Sequence, residues 1–242
     1  MKIYSFSKRC AKEILRDPVN LGFGLGFPIA LLLLFRAMQA NIPVELFEIS
    51  TLAPGMAVFA LSFVTLFSAT LVARDRETAF LERLFTTPMR SIDFIIGYTL
   101  PLVVISLLQS VICYIFSIIL GLSVSVNILF ALLLMIPISV FYVSVGLFFG
   151  SLLNVKQVGG ICGALFTNLS AWLSGVWFDI SLVGEVFERI ANLLPFIHAV
   201  ELQRAVVSGN FNGILPHLYP VAIYGVVMTV AGSLVFLKQM KK

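Results

Sequence analysis

Six stretches of the chain are apolar almost without interruption, and polar residues gather between them. The runs cover 21–38, 52–73, 94–120, 128–153, 158–178 and 218–237. Each is close to the ~20 residues a helix needs to cross a hydrocarbon core, so the pattern predicts six membrane-spanning helices. The long central runs have room to tilt or to project beyond the bilayer. Twenty residues precede the first run and no small-residue cleavage site follows it, so it reads as a span and not as a signal peptide.

Between the runs the apolar positions recur at helical spacing. Ile3, Phe6, Cys10 and Ile14 alternate with Lys8, Arg9, Lys12 and Arg16, and Asp17-Pro18 ends the pattern. This predicts an N-terminal amphipathic helix in the plane of the membrane interface. After the second run, Phe80, Leu81, Leu84 and Phe85 form an apolar face opposite Arg76, Glu77, Glu82 and Arg83, and Pro88 closes the segment. Four large apolar residues among so many charges suit docking into a soluble partner better than a solvated loop. Between the fifth and sixth runs, Leu182, Val183, Val186, Phe187, Ile190 and Leu193 share one helical face, and a second short helix follows. These predict an external helical hairpin lying on or dipping into the outer leaflet. The expected fold is an all-α integral membrane protein, a single transmembrane domain over residues 1–242.

Composition agrees with that class. Apolar residues make up 60% of the chain and charged residues 12%, with mean hydropathy +1.04. That charged fraction is roughly half the ordinary value for a soluble domain. Orientation follows from Lys and Arg. With the N-terminus inside, 13 of the 16 fall in the segments 1–20, 74–93, 154–157 and 238–242. The positive-inside rule therefore predicts both termini in the cytoplasm of a multi-pass protein of the cell (inner or plasma) membrane. The net charge of +4 faces anionic lipid heads and implies no nucleic-acid role.

Absences narrow the chemistry. No Asp, Glu, Lys, Arg or His lies well inside a run, which argues against proton- or sodium-coupled transport and against a membrane enzyme. No Gly is followed by Lys, so the phosphate-binding loop G-x-x-x-x-G-K-[ST] is missing. The three Cys have no metal-ligand spacing. The chain is expected to bind no metal or cofactor and to catalyse nothing by itself. Gln109, Thr167, Asn168 and Ser170 are polar residues at depth, for which interhelical hydrogen bonding is the simplest role. Asn168 and Trp172, one turn apart, could line an apolar pathway with Phe59, Phe63 and Phe67. A Phe stripe at that spacing is more often packing. Gly22–Gly26, Gly146–Gly150 and Gly159–Gly163 each have G-x-x-x-G spacing, which permits close helix approach.

Two segments carry a family resemblance. Arg74–Arg90 is similar to the cytoplasmic signature of ABC-2 type transporter permeases, R-E-R-E-x-G-T-L-E-R-L-L-x-T-P. Arg74, Arg76, Glu77, Leu81, Glu82, Arg83, Leu84, Thr87 and Pro88 match, Asp75 stands for Glu, and Ala79-Phe80 replace Gly-Thr. The stretch Leu173–Phe178 followed by Asn192–Arg204 resembles the family's C-terminal pattern, a Ser-Gly and then N-P-[LF]-[TS]-x-x-x-E-x-x-R. The resemblance implies a permease working as a dimer, a homodimer or a pair with a second permease. Each copy is bound to an ABC ATP-binding subunit that holds ATP and Mg. It implies ATPase coupling through Arg74, Asp75, Arg76, Glu77, Leu81, Glu82, Arg83, Leu84, Thr87 and Pro88. Pro195, His198, Glu201 and Arg204 become candidates for an external gate. The apolar walls suit a hydrophobic or amphipathic cargo such as a drug, antibiotic or peptide. A stand-alone membrane immunity or scaffold protein without an ATPase is the alternative, and a lipid-head-group transferase a third.

Overall fold

The computed structural model describes residues 2–39, 47–78 and 91–240, which are helical with no strand among them. The elements, in chain order, are α1 (Lys2–Leu15), α2 (Gly22–Gln39), α3 (Ile49–Glu77), α4 (Ser91–Ile119), α5 (Asn127–Leu152), α6 (155–172), α7 (Glu185–Leu193), α8 (Pro195–Val207) and α9 (Ile214–Met240). Five helices, α2, α3, α4, α5 and α9, are long and apolar enough to cross a membrane.

Helix α3 is the hub. Some 89% of its most apolar window is buried, against 17% for α2. A bundle whose peripheral helices keep exposed apolar flanks around one buried helix is what lipid as a solvent permits. Its 29 residues span about 43 Å, beyond a ~30 Å hydrocarbon core, so its end projects. The predicted boundary at residue 73 therefore moves. Arg74–Glu77 continue the helix and do not begin a separate element, and the chain turns extended at Thr78. The rest of the predicted coupling helix, with Leu81, Glu82, Arg83, Leu84, Thr87 and Pro88, lies outside the described residues.

Close approach explains one of the three G-x-x-x-G pairs. A Cβ on Gly146 would lie 2.4 Å from Ser68 Cβ, and one on Gly150 2.6 Å from the Ala69 carbonyl, so these glycines seat α5 against α3. Gly22, Gly26 and Gly159 meet nothing within 4 Å, and Gly163 has only ordinary contact with Leu66. The predicted bend of the first span is a wide π-type turn over Gly22–Gly26, where Gln109 of α4 donates to the Gly24 carbonyl and to that of Ala60. Ser170 pairs with Tyr142 at 2.9 Å, while Thr167 bonds within its own segment to the Cys162 carbonyl.

Two predicted elements differ in the structure. The fifth apolar run is helical only to Trp172 and carries π-type turns over Gly159–Phe166. Residues 173–178 leave the helix, with Gly175 at φ +66. Leu173, Ser174, Gly175 and Val176 are buried, which is where irregular backbone at membrane depth is tolerated. Helix α1 buries its apolar stripe in protein, not lipid. Phe6, Cys10 and Ile14 are buried, and Phe6 packs edge-on to Tyr98 of α4 at 4.9 Å. Gly97 makes room for it, since a Cβ there would lie 2.3 Å from the Phe6 ring. A helical hairpin, α7 followed by α8, is present between α6 and α9. Helix α7 leaves Val186 and Leu193 exposed, as is Leu182 in the turn before it, whereas α8 is buried against α3, α5 and α9.

Candidate functional site

The last turn of α3 carries four consecutive charged residues, Arg74 to Glu77, and the last three each reach a different neighbour. Asp75 is buried, and its two oxygens accept from both terminal nitrogens of Arg9 on α1, one at 2.7 Å. The Tyr98 hydroxyl of α4 donates to the same carboxylate at 2.8 Å. Arg76 donates to the Gly150 carbonyl at 2.9 Å and the Leu153 carbonyl at 3.3 Å, satisfying carbonyls that the C-terminus of α5 leaves unpaired. Glu77 accepts from the Val155 N–H at 2.8 Å, at the positive N-terminus of α6. One helical turn thus grips α1, α4, α5 and α6.

Electrostatics hold this joint together. Burial opposes the charge on Arg9, but the hydrogen bond and attraction to Asp75 outweigh it and raise its pKa above the usual arginine value. Glu13, one turn along α1, pairs with Arg9 at 2.7 Å and reaches Arg74 at 3.7 Å. Beside them Cys10 is fully buried, and burial pushes its thiol up to about 12. Motif reading found Arg74, Asp75, Arg76 and Glu77. It missed Arg9, Glu13 and Tyr98. The i,i+4 spacing of Arg9 and Glu13 was the only local signal, and nothing local marks Tyr98.

At the opposite end of the bundle, Arg204 of α8 joins three segments. It pairs with Glu201 at 2.8 Å and donates to the carbonyls of Gly175 at 3.0 Å and Thr51 at 3.3 Å. It stands between two cavities of about 560 and 260 Å³, both lined by Thr51, Glu201 and Arg204. His198 faces His217 of α9, Nδ1 to Nδ1 at 3.0 Å, and its Nε2 lies 2.9 Å from the Asn192 carbonyl. A carbonyl only accepts, so Nε2 of His198 carries the proton and His217 donates through Nδ1 when both rings are neutral. Pro195 is buried at the first turn of α8. Sequence reading named Pro195, His198, Glu201 and Arg204 but not His217, which is distant in the chain. Among the described residues no group of three or more His, Cys, Asp or Glu could hold a metal.

The proposed pathway residues separate into two groups. Phe59, Phe63 and Phe67 are buried on α3. Phe63 meets Phe27 of α2 at 5.7 Å, Phe59 meets Trp177 at 5.5 Å, and Phe67 fills the space over Gly24. Asn168 and Trp172 face outward on α6, Asn168 donating to the Ala164 carbonyl of its own helix. No ring contact or hydrogen bond joins the two groups among the described residues.

Comparison with known proteins agrees with this architecture. The chain is 29% identical over 229 residues to the transport permease ycf38 of Porphyra purpurea, covering 86% of this chain and 78% of the relative. It is 28% identical over 223 residues to ycf38 of Pyropia yezoensis, with 87% and 76% covered. It is 23% identical over 213 residues to Nodulation protein J of Sinorhizobium fredii, with 88% and 79% covered. Residues 1–207 match the family described as ABC-2 type transporter, which takes in every element from α1 to α8. With no strand and five membrane-length helices among its described residues, and a charged, four-way joint at the end of its central helix, the chain belongs to the ABC-2 type transporter family.

Proposed function

We propose that the chain is the non-catalytic membrane subunit of an exporter in the cell membrane, driven by ATP and Mg bound on a separate ABC subunit. The observation that carries this reading is the three-residue grip of Asp75, Arg76 and Glu77, which stands at the root of the 78–90 segment. A partner pulling on that segment moves the last turn of α3. The turn then displaces α1 and α4 through Asp75, the end of α5 through Arg76 and the start of α6 through Glu77. Two arrangements of this joint, biased by ATP, are the two states of the transporter.

The complete topology is six crossings with both termini inside. The crossing beyond the five long helices is α6 continued by the irregular residues 173–178, of which 173–176 are buried. Thirteen of the sixteen Lys and Arg on one side support the orientation. Two copies of the chain enclose the route, and Arg204 with Glu201 closes it outside. The cargo is hydrophobic or amphipathic, in keeping with the apolar, aromatic faces of the spans.

Reversing two charges tests the coupling. Glu82→Lys with Arg83→Glu is expected to abolish transport-stimulated ATP hydrolysis by the reconstituted complex, with the permease still inserted in the membrane. Undiminished stimulation rejects the assignment.

A further inference from the structure

Helix α1 has a second face that its docking leaves unused. Tyr4, Lys8, Lys12 and Arg16 are spaced by four, form one row along the helix and are all exposed. Between this row and Arg74 of α3 lies an open groove of about 900 Å³. Its acidic residues are engaged. Glu13 pairs with Arg9 and Arg74, and Asp17 accepts from the Val19 N–H at 3.0 Å. Lys8, Lys12 and Arg16 have no ion pair among the described residues, so positive charge in the groove is unbalanced. The groove ends at Pro18, where the chain turns into the first span. Beyond it Val19, Phe23 and Phe27, again spaced by four, are exposed on an apolar flank.

We infer that this groove is a binding site for an anionic phospholipid. Its phosphate would be held by Lys8, Lys12 and Arg16, and an acyl chain would lie along Val19, Phe23 and Phe27. The apolar track distinguishes this occupant. A soluble phosphate compound or an acidic protein surface would use the cations and leave the track bare, whereas a lipid matches both at the depth where headgroup meets hydrocarbon. Tyr4 at the far end has the amphipathic ring favoured at that level. Such a site exists whether or not the chain works with an ATPase.

The test uses the full chain purified in a neutral detergent and titrated with phosphatidylglycerol, phosphatidylcholine or glycerol 3-phosphate, with native mass spectrometry as the readout. Phosphatidylglycerol is expected to be retained in preference to phosphatidylcholine, and more weakly at high salt. The triple variant Lys8→Gln, Lys12→Gln, Arg16→Gln is expected to bind it roughly 100-fold more weakly, and Lys8→Gln or Arg16→Gln alone about 5-fold. Slow alkylation of Cys10 in each variant checks that α1 remains docked, and the mild single variants decide the question if the triple one does not fold. Equal retention of the two lipids, or single variants that bind as well as the parent, overturns the site. Displacement by equimolar glycerol 3-phosphate overturns the lipid assignment in favour of a free phosphate. Variants that shed an ATP-binding subunit while keeping phosphatidylglycerol hand the groove to a protein partner.

Discussion

Asp75 shows why a charge at the edge of a membrane bundle is so exacting. Its carboxylate is almost wholly buried, and every stabilising contact comes from another helix: two nitrogens of Arg9 and the hydroxyl of Tyr98. Pairing only offsets desolvation, so the pair matters most when one half is missing. Asp75→Asn takes the buried counter-charge from Arg9 and leaves it only the more exposed Glu13. The expected loss is about 2–3 kcal/mol, below the range for a fully buried pair because Arg9 keeps a third of its side chain exposed. Arg9→Gln combined with Asp75→Asn removes both charges and is expected to cost less than the two single changes summed. Unfolding midpoints in detergent for the four proteins measure this, and strict additivity would show that the pair does not couple α1 to α3. Asp75 stood in the motif, but its pairing with Arg9 was not legible in the chain. They are 66 residues apart, and Arg9 reads equally well as one more cation of an interfacial helix.

Helices were legible where the property that makes them is local. Hydropathy over ~20 residues reported α2, α3, α4, α5 and α9, because each must satisfy its own backbone inside lipid. It failed at 173–178, where an apolar sequence conceals Gly175 in a left-handed conformation and Arg204 supplies a partner for its carbonyl. It also failed to say what faces what. Three G-x-x-x-G pairs look alike in the sequence, yet only Gly146–Gly150 meets a backbone, that of α3. The apolar stripe of α1 could cover lipid or protein, and Gly97, a residue with no motif around it, decides for protein. Gly97→Val would drive a side chain into Phe6, which has no free space beside Tyr98 and Phe94. The expected result is that α1 lifts away and Cys10, whose buried thiol has a pKa of about 12, becomes rapidly alkylated at pH 8. Gly22→Ala meets open space and is expected to leave the labelling rate unchanged. If Cys10 stays protected in Gly97→Val, α1 is held by its charges and not by the Phe6 seat.

At the scale of the molecule, α6 is tied at both ends. Glu77 holds its first N–H group, and just past its last turn Arg204 holds the Gly175 carbonyl. A displacement of α3 at one end therefore reaches α8 at the other through one short helix whose π-type turns already depart from the α-helical ladder. Glu77 and Arg204 sit at opposite ends of α3, and six crossings require that 155–178 also spans the distance between them. Cysteine labelling decides that point. The native Cys10, Cys113 and Cys162 are all buried, so they contribute little background. Lys156→Cys at the start of the segment and Val186→Cys beyond its end are single additions at exposed positions. In intact cells a membrane-impermeant maleimide is expected to modify Val186→Cys at once and Lys156→Cys only after permeabilisation. Labelling of both from outside would mean that 155–178 is a re-entrant loop and that the chain has an odd number of crossings. The reverse pattern would invert the protein, put the α3 joint outside and remove the ATP-binding partner from reach of residues 74–88.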